Sequence, residues 1–104
     1  MNEKKKKLLE VFQKFHVGAG NACSINRLSV FLGINRSSVR NYLFELREGQ
    51  IPLCSNSNGY YLASTQEELD ETIAFLSNRT LELQRAVEAL KQAIPVASHN
   101  EDIQ

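Results

Sequence analysis

Apolar residues recur at steps of three and four within the stretch Ser24 to Leu46, and they do so in two short runs. Such spacing gives each run one apolar stripe, which is typical of an amphipathic helix that packs against another element. The repeating residues are Ile25, Leu28 and Leu32 in the first run and Val39, Leu43 and Leu46 in the second. The pattern therefore predicts a pair of short helices, and we expect the rest of the chain to be arranged around it.

Three residues beside these runs predict where the helices begin and end. Ser24 and Asn35 each place a side-chain oxygen before a run, where it can accept a backbone hydrogen bond and cap the helix. Gly33 follows the first run and can adopt the left-handed backbone conformation that ends a helix. The expected result is a helix-turn-helix motif, in which about three to four residues join the two helices.

The outer face of the second predicted helix is polar once the two apolar stripes pack together. Its residues are Arg36, Ser37, Arg40 and Asn41. Side chains of these types suit hydrogen bonds to base edges and phosphates in a DNA major groove. We therefore predict that this face reads base edges, while four neighbouring residues position the helix on the DNA backbone. Those neighbours are Ser24, Asn26, Asn35 and Tyr42.

A further helix is predicted before this pair. The segment from Glu3 to His16 has helical periodicity, and its expected buried face consists of Leu8, Leu9, Val11, Phe12 and Phe15. A glycine-containing break at residues 18–20 ends this helix, and Ala22-Cys23 leaves room only for a very short strand.

A β-hairpin is predicted after the pair. Residues 51–55 read as a strand in which Pro52 must lie at the start or the edge, because proline cannot donate to a ladder. Asn58-Gly59 is a strong hairpin signal, and residues 60–62 return as the second strand. Alternation along that strand puts Tyr61 on one face and its two neighbours on the other.

In this order of elements the sequence resembles the winged helix-turn-helix DNA-binding domains, most closely the small domains at the N-terminus of biotin-operon repressors. The resemblance covers residues 6–63 and implies that Tyr60 and Leu62 pack inward while Tyr61 faces out. It rests on Leu28, Leu32, Gly33, Ile34, Val39, Leu43 and Leu46, followed by Gly59, Tyr60, Tyr61 and Leu62 at the position of the wing. The expected fold is mainly α with a small β-hairpin wing, followed by a long C-terminal helix.

The wing and the N-terminal lysines are weaker candidates for DNA contact. The resemblance implies that the hairpin tip lies along the DNA backbone or in the minor groove. Asn56, Ser57 and Asn58 offer only neutral groups there, and plain turn chemistry explains them equally well. Lys4 and Lys5 belong to a run of four lysines, which is either a solvated helix start or a phosphate-facing arm.

Charge is divided unevenly along the chain although the formal net charge is zero. Residues 1–50 contain five lysines and four arginines against four glutamates, a net charge of +5. Residues 51–104 have a net charge of −5. The first half can therefore meet phosphate, whereas the second half is expected to point away from DNA.

The acidic half is predicted to be one long helix. Ser64 is a candidate cap, with Glu67 closing a capping box. No proline or glycine follows until Pro95, so a helix of about 45 Å can extend to Ile94. The polar segment Ser77–Thr80 is a place where this helix could bend or split.

Apolar residues of this helix form a heptad seam, at alternating steps of four and three residues with Thr80 as the one interruption. The seam comprises Leu69, Ile73, Leu76, Leu83, Val87, Leu90 and Ile94. Self-association, most simply a two-fold homodimer, is the expected outcome. The predicted organisation is thus a DNA-binding domain at 1–63, a dimerisation segment at 64–95 and a disordered tail at 96–104.

No motif for catalysis, cofactor binding or metal binding stands out. Cys23 and Cys54 are far apart and form no CxxC pair, so we expect two reduced, half-buried thiols. The chain has neither a recognisable export signal nor an apolar run of membrane-spanning length, which favours a cytoplasmic protein.

Together these patterns predict a homodimer that binds double-stranded DNA at specific sequences, as a small transcriptional regulator of bacterial or phage type. The alternative is a winged-helix module that binds another protein, or an adaptor for DNA replication or packaging. An enzyme is not expected.

Overall fold

A computed structural model of the chain describes residues 2–96 and shows four helices and one hairpin within them. The elements are α1 (Glu3–Phe15), a 3₁₀ turn (Ala19–Asn21), α2 (Ile25–Leu32), α3 (Arg36–Glu48), β1 (Leu53–Asn56), β2 (Gly59–Leu62) and α4 (Gln66–Lys91). The expected architecture, which is mainly helical with a small antiparallel hairpin and a long C-terminal helix, is confirmed. Contacts divide it into two units between Ile73 and Ala74. The predicted tail at 96–104 lies, except for Val96, outside the described residues.

The caps and the joint of the central helix pair are confirmed. The Ser24 hydroxyl accepts a hydrogen bond from the Arg27 N–H at 3.2 Å, and the Asn35 side chain accepts one from the Ser38 N–H at 2.8 Å. Gly33 has the left-handed backbone conformation, with φ 65° and ψ 36°, and ends α2. Local sequence therefore fixes where both helices start and where the first one stops.

One apolar core joins α1, α2, α3 and the hairpin. Each fully buried aliphatic or aromatic side chain in it stabilises the fold by roughly 1.5–3 kcal/mol. Its buried members are Leu8, Phe12, Cys23, Leu28, Leu32, Val39, Leu43, Leu46, Leu53 and Leu62. The expected burial of Phe15 is wrong, because this residue is 61% exposed. Phe15 ends α1, and the chain then turns towards β2, where the Leu62 N–H donates to the His16 carbonyl at 2.8 Å.

Strand β2 of the hairpin forms backbone hydrogen bonds along both of its edges. β1 pairs with it on one side, and on the other the Tyr60 N–H and the Cys23 carbonyl form a hydrogen bond of 2.8 Å. The short strand predicted at Ala22-Cys23 is thus a single bridge at Cys23. Gly59 is needed for this approach, since a Cβ there would lie 2.2 Å from the Cys23 carbonyl oxygen.

The outward orientation expected for Tyr61 is wrong, because this residue is only 2% exposed. Alternation does place it opposite Tyr60 and Leu62, but the first turns of α4 cover that face of the hairpin. Thr72 of α4 is 4% exposed and accepts a hydrogen bond from the Ser55 N–H at 3.4 Å. Burial raises the pKa of the Tyr61 phenol, and the neighbouring Thr72 hydroxyl offsets part of that effect.

The capping box of α4 lies one residue later than Ser64 and Glu67. The Thr65 hydroxyl accepts from the Glu68 N–H at 3.2 Å, and the Glu68 carboxylate accepts from the Ser64 N–H at 2.8 Å. The same carboxylate accepts from the Ala19 N–H at 2.7 Å. These backbone hydrogen bonds, from Ser64 and then Ala19, lower the pKa of Glu68.

Helix α4 is continuous through the polar segment Ser77–Thr80 and ends at Lys91, three residues before the predicted end. The Thr80 hydroxyl donates to the Leu76 carbonyl at 3.0 Å, so this polar side chain is satisfied within its own helix. No helix within residues 2–96 combines the length and the apolar character that crossing a membrane requires.

Replacing Gly59 with alanine should lower the free energy of unfolding by about 2–4 kcal/mol, because the new Cβ meets the Cys23 carbonyl and the residue must keep a φ of 135°. Gly20→Ala is the matched control, since nothing lies within 4 Å of its added Cβ. Urea unfolding followed by circular dichroism measures both variants. Equal stability of the two variants would contradict the close approach of β2 to Cys23.

Replacing Glu68 with glutamine should destabilise the protein at neutral pH but not in acid. The folded-state pKa of Glu68 is lowered from its usual 4.5, so its contribution is present above pH 4.5 and disappears as the pH falls through the folded value. The thermal unfolding midpoints of the wild type and the variant should therefore converge in acid. Glu67→Gln is the matched control, because it removes a charge from the same turn but no hydrogen bond of the described residues. A constant difference at every pH would show that the carboxylate charge is not what stabilises this turn.

Candidate nucleic-acid interface

The outer face of α3 is formed by the side of the helix that does not enter the core. Val39, Leu43 and Leu46 are buried, with exposures of 3% or less. Because side chains four residues apart share a helix face, Arg36 and Arg40 lie together, at the edge of this buried stripe, and both are exposed. All four predicted base-reading residues, Arg36, Ser37, Arg40 and Asn41, are exposed there. Their position in the first two turns of α3 matches the part of a recognition helix that contacts base edges.

Phe44 extends this face by one further turn. It is not among the contact residues predicted from the sequence. Its side chain is 62% exposed, which is unusual for phenylalanine on a structured helix. The signal was available, since Val39, Leu43 and Leu46 already account for the buried stripe and leave Phe44 four residues after Arg40. Over its first three turns the outer face of α3 thus combines two cations, two neutral polar groups and one aromatic ring, and Glu48 follows in the last turn.

Asn26 of α2 joins the outer face of α3. Its side-chain amide oxygen, Oδ1, accepts a hydrogen bond from the Arg36 guanidinium at 3.3 Å. Neither Arg36 nor Arg40 forms a salt bridge with any residue from 2 to 96. Both guanidinium groups therefore keep donors that can meet an external acceptor.

Ser24 and Asn35 lie at the N-termini of α2 and α3. Their side-chain oxygens already accept the capping hydrogen bonds, which leaves the hydroxyl hydrogen of Ser24 and the amide NH₂ of Asn35 as donors. A helix N-terminus also attracts anions through its dipole and its unpaired N–H groups. Both caps therefore keep donors that are free to meet an external anion.

Tyr42, Lys4 and Lys5 have partners inside the domain: Tyr42 of α3 faces the start of α1, and the two lysines of α1 reach α2 and α3. Tyr42 packs against the core, and its hydroxyl accepts from the Asn2 side chain at 3.4 Å. The Lys4 ammonium donates to the Leu32 carbonyl at 2.8 Å, and Lys5 forms a 3.3 Å salt bridge with Glu45. Both lysines thus tie α1 to its neighbours, and together with the Asn2 cap they order a helix start that opposes the dipole.

The wing divides into a structural residue and an exposed tip. The Asn56 side chain accepts from the Asn58 N–H at 2.9 Å and donates to the Ala19 carbonyl at 3.3 Å, so it builds the turn. Ser57 and the Asn58 side chain are exposed at the tip. Arg47 of α3 holds β1 in place by donating to the Leu53 carbonyl at 2.9 Å. The hairpin is thereby attached to α3 itself.

The two cysteines contribute no site. Both thiols are free, and both are more buried than expected, with Cys23 6% and Cys54 0% exposed. Burial raises the pKa of Cys23, against the opposing charge of Arg27, which makes its thiol a poor nucleophile. Within the described part of the chain, no three histidine, cysteine, aspartate or glutamate residues are grouped to hold a metal ion.

Comparison with known protein families, with curated proteins and with solved structures found no match to this chain. The interface is therefore defined by the geometry and charge of its own residues.

Proposed function

We propose that this chain binds double-stranded DNA at specific sequences, with α3 in the major groove, and acts as a small dimeric transcriptional regulator of bacterial or phage type. The observation that carries the proposal is the outer face of α3, where Arg36 and Arg40 are exposed and have no acidic partner among residues 2–96. The acidic residue of the same face, Glu48, lies in the last turn of α3, away from the reading end. A major groove about 12 Å wide accepts such a helix.

Each side chain of this face matches a feature of the base edges. Arginine pairs in bidentate fashion with O6 and N7 of guanine, and asparagine pairs with N6 and N7 of adenine. Arg36 and Arg40 therefore read guanines, and Asn41 reads an adenine. The Phe44 ring contacts a thymine methyl group, which is an apolar feature of the same groove. Asn26 holds the Arg36 guanidinium from α2.

Phosphate contacts supply the sequence-independent part of the affinity. Ser24 and Asn35 donate to backbone oxygens at two helix N-termini, and the basic first half of the chain attracts the duplex. Ser57 and Asn58 at the wing tip add neutral hydrogen bonds along the backbone. The acidic second half stays away from DNA and joins two copies through the seam of α4.

Arg40→Ala should relax the sequence preference, because it removes a base contact worth about 1–3 kcal/mol of discrimination, or roughly a 5- to 150-fold ratio. Selection of bound sequences from random duplex DNA, followed by anisotropy titrations at fixed salt, measures this loss. Arg85→Ala is the matched control, since it removes the same charge from an exposed position of α4. A uniform loss of affinity across all sequences would show that Arg40 binds phosphate and does not read a base.

Phe44→Ala should remove discrimination between thymine and uracil at one position of the selected site. Uracil lacks the methyl group of thymine. Replacing thymine with uracil at that position should therefore weaken DNA binding by the wild type by about 1 kcal/mol and leave binding by the variant unchanged. Phe31→Ala is the control, because Phe31 is 52% exposed but belongs to α2. Should both variants keep the wild-type sensitivity to uracil, Phe44 would lie outside the groove.

A second candidate function, a protein-interaction module, is favoured by an apolar patch on α2. Val30 and Phe31 are 83% and 52% exposed, and Phe31 borders an open groove of about 210 Å³. Exposed apolar clusters of this kind commonly mark contacts with other proteins. An adaptor for DNA replication or packaging would use this patch together with the outer face of α3.

A titration against mixed-sequence duplex at low salt separates these candidates. A DNA-binding protein should respond at about micromolar concentration even without its specific site. No response there would overturn DNA binding and leave the apolar patch as the functional surface.

A further inference from the structure

The seam of α4 is exposed in a single chain. Four of its residues are about half exposed or more, and a contiguous apolar stripe of this length is unusual on a protein surface. They are Ile73 at 53%, Leu83 at 59%, Val87 at 47% and Leu90 at 73%. Leu69 and Leu76 are half-buried, and Ile94 lies beyond the helix end at Lys91. The stretch from Ile73 to Leu90 is therefore the part of the seam that a second copy can cover.

We propose that two copies of α4 pair in antiparallel orientation, with Ile73 packed against the partner's Leu90. The same register places Leu76 against the partner's Val87 and Thr80 against the partner's Leu83. The two-fold axis then passes between Leu81 and Glu82, and every seam position from Ile73 to Leu90 meets another seam position. This inference goes beyond the proposed function, which requires a dimer but leaves its orientation open.

The charge distribution of α4 distinguishes the two orientations. Its first turns contain Glu67, Glu68, Asp70 and Glu71 and no cation. A parallel pair would bring these four carboxylates beside the same four of the partner, which is unfavourable. In the antiparallel register the acidic turns instead lie near the partner's Lys91.

One pair of opposite charges flanks the proposed seam. Asp70 follows Leu69 and Lys91 follows Leu90, so both residues border the stripe on the same side. The antiparallel register places Asp70 opposite the partner's Lys91, and symmetry repeats this pair at the other end. In a parallel pair the flanking contacts join Arg79 to the partner's Gln84 and Ala86 to the partner's Lys91, which gives no ion pair.

Both charged groups are available for this contact. Asp70 is exposed, and within residues 2–96 only one of its oxygens accepts a hydrogen bond, from the Gln66 side chain at 2.8 Å. Lys91 forms a 3.3 Å salt bridge with Glu88, but the two side chains are 64% and 56% exposed. An exposed pair of this kind contributes little stability, so Lys91 can exchange its partner at little cost.

Thr80 fits the antiparallel seam because its hydroxyl is already satisfied. It donates to the Leu76 carbonyl at 3.0 Å, which leaves its methyl group to meet the partner's Leu83. A parallel pair would instead place two threonines against each other in the middle of the seam, and one apolar contact would be lost.

The antiparallel register separates the two copies of Ile73 by about 26 Å along the helix pair, from 17 residues at 1.5 Å each. In a parallel pair they would be adjacent, at about 8–10 Å. The unit Met1–Ile73 of each copy is thus attached near a different end of the helix pair.

Cysteine cross-linking in the full chain tests the orientation without DNA. Ile73→Cys and Leu90→Cys are prepared as separate proteins, then oxidised alone and as an equal mixture. Antiparallel pairing should give a cross-linked dimer in the mixture and none in either protein alone. Leu76→Cys with Val87→Cys provides a second pair with the same expectation.

Two controls set the background. The wild type, whose Cys23 and Cys54 are buried, should not cross-link, and neither should Leu81→Cys, which is 58% exposed but lies off the seam. Cross-linking of each single variant with itself would establish parallel pairing and overturn the proposal. A solution mass of one chain at every concentration would overturn it as well. Loss of DNA binding with antiparallel cross-linking intact would overturn only the proposed function.

Discussion

The close backbone contact between Gly59 and Cys23 is the constraint on which the arrangement of this domain depends. Cys23 directly precedes the Ser24 cap of α2, and Gly59 begins β2, so one contact joins the hairpin to the helix pair. Arg47 makes the second attachment, from α3 to β1. Both strands of the hairpin are therefore held against the helix pair.

The cations of the first half of the chain serve two different purposes. Lys4, Lys5 and Arg47 have partners inside the domain and hold α1 and β1 against the helix pair. Arg36 and Arg40 have no acidic partner among residues 2–96 and remain available for a ligand. A net charge of +5 therefore overstates the charge offered to phosphate, and the exposed arginines are the better measure.

Local sequence signals predicted most of the fold, because caps, a glycine joint and helical spacing act over a few residues. What depends on distant packing was predicted less well. Tyr61 is buried because α4 folds over the hairpin, and Phe15 is exposed because the core ends before it. Phe44 is of a residue type that usually lies in the core, and only the spacing of the buried stripe indicates that it is exposed. The exposure of Arg36 and Arg40 could be predicted because neither belongs to the apolar stripe of α3.

Helix α4 belongs to both units of the chain. Its first turns bury Tyr61 and Thr72 against the hairpin, while its later turns carry the apolar seam. Ordering the start of a helix favours its continuation, because nucleation is the costly step of helix formation. In the proposed dimer, folding of the hairpin and pairing of the later turns are therefore thermodynamically coupled. A change beneath Tyr61 should then alter the monomer–dimer equilibrium without touching the seam.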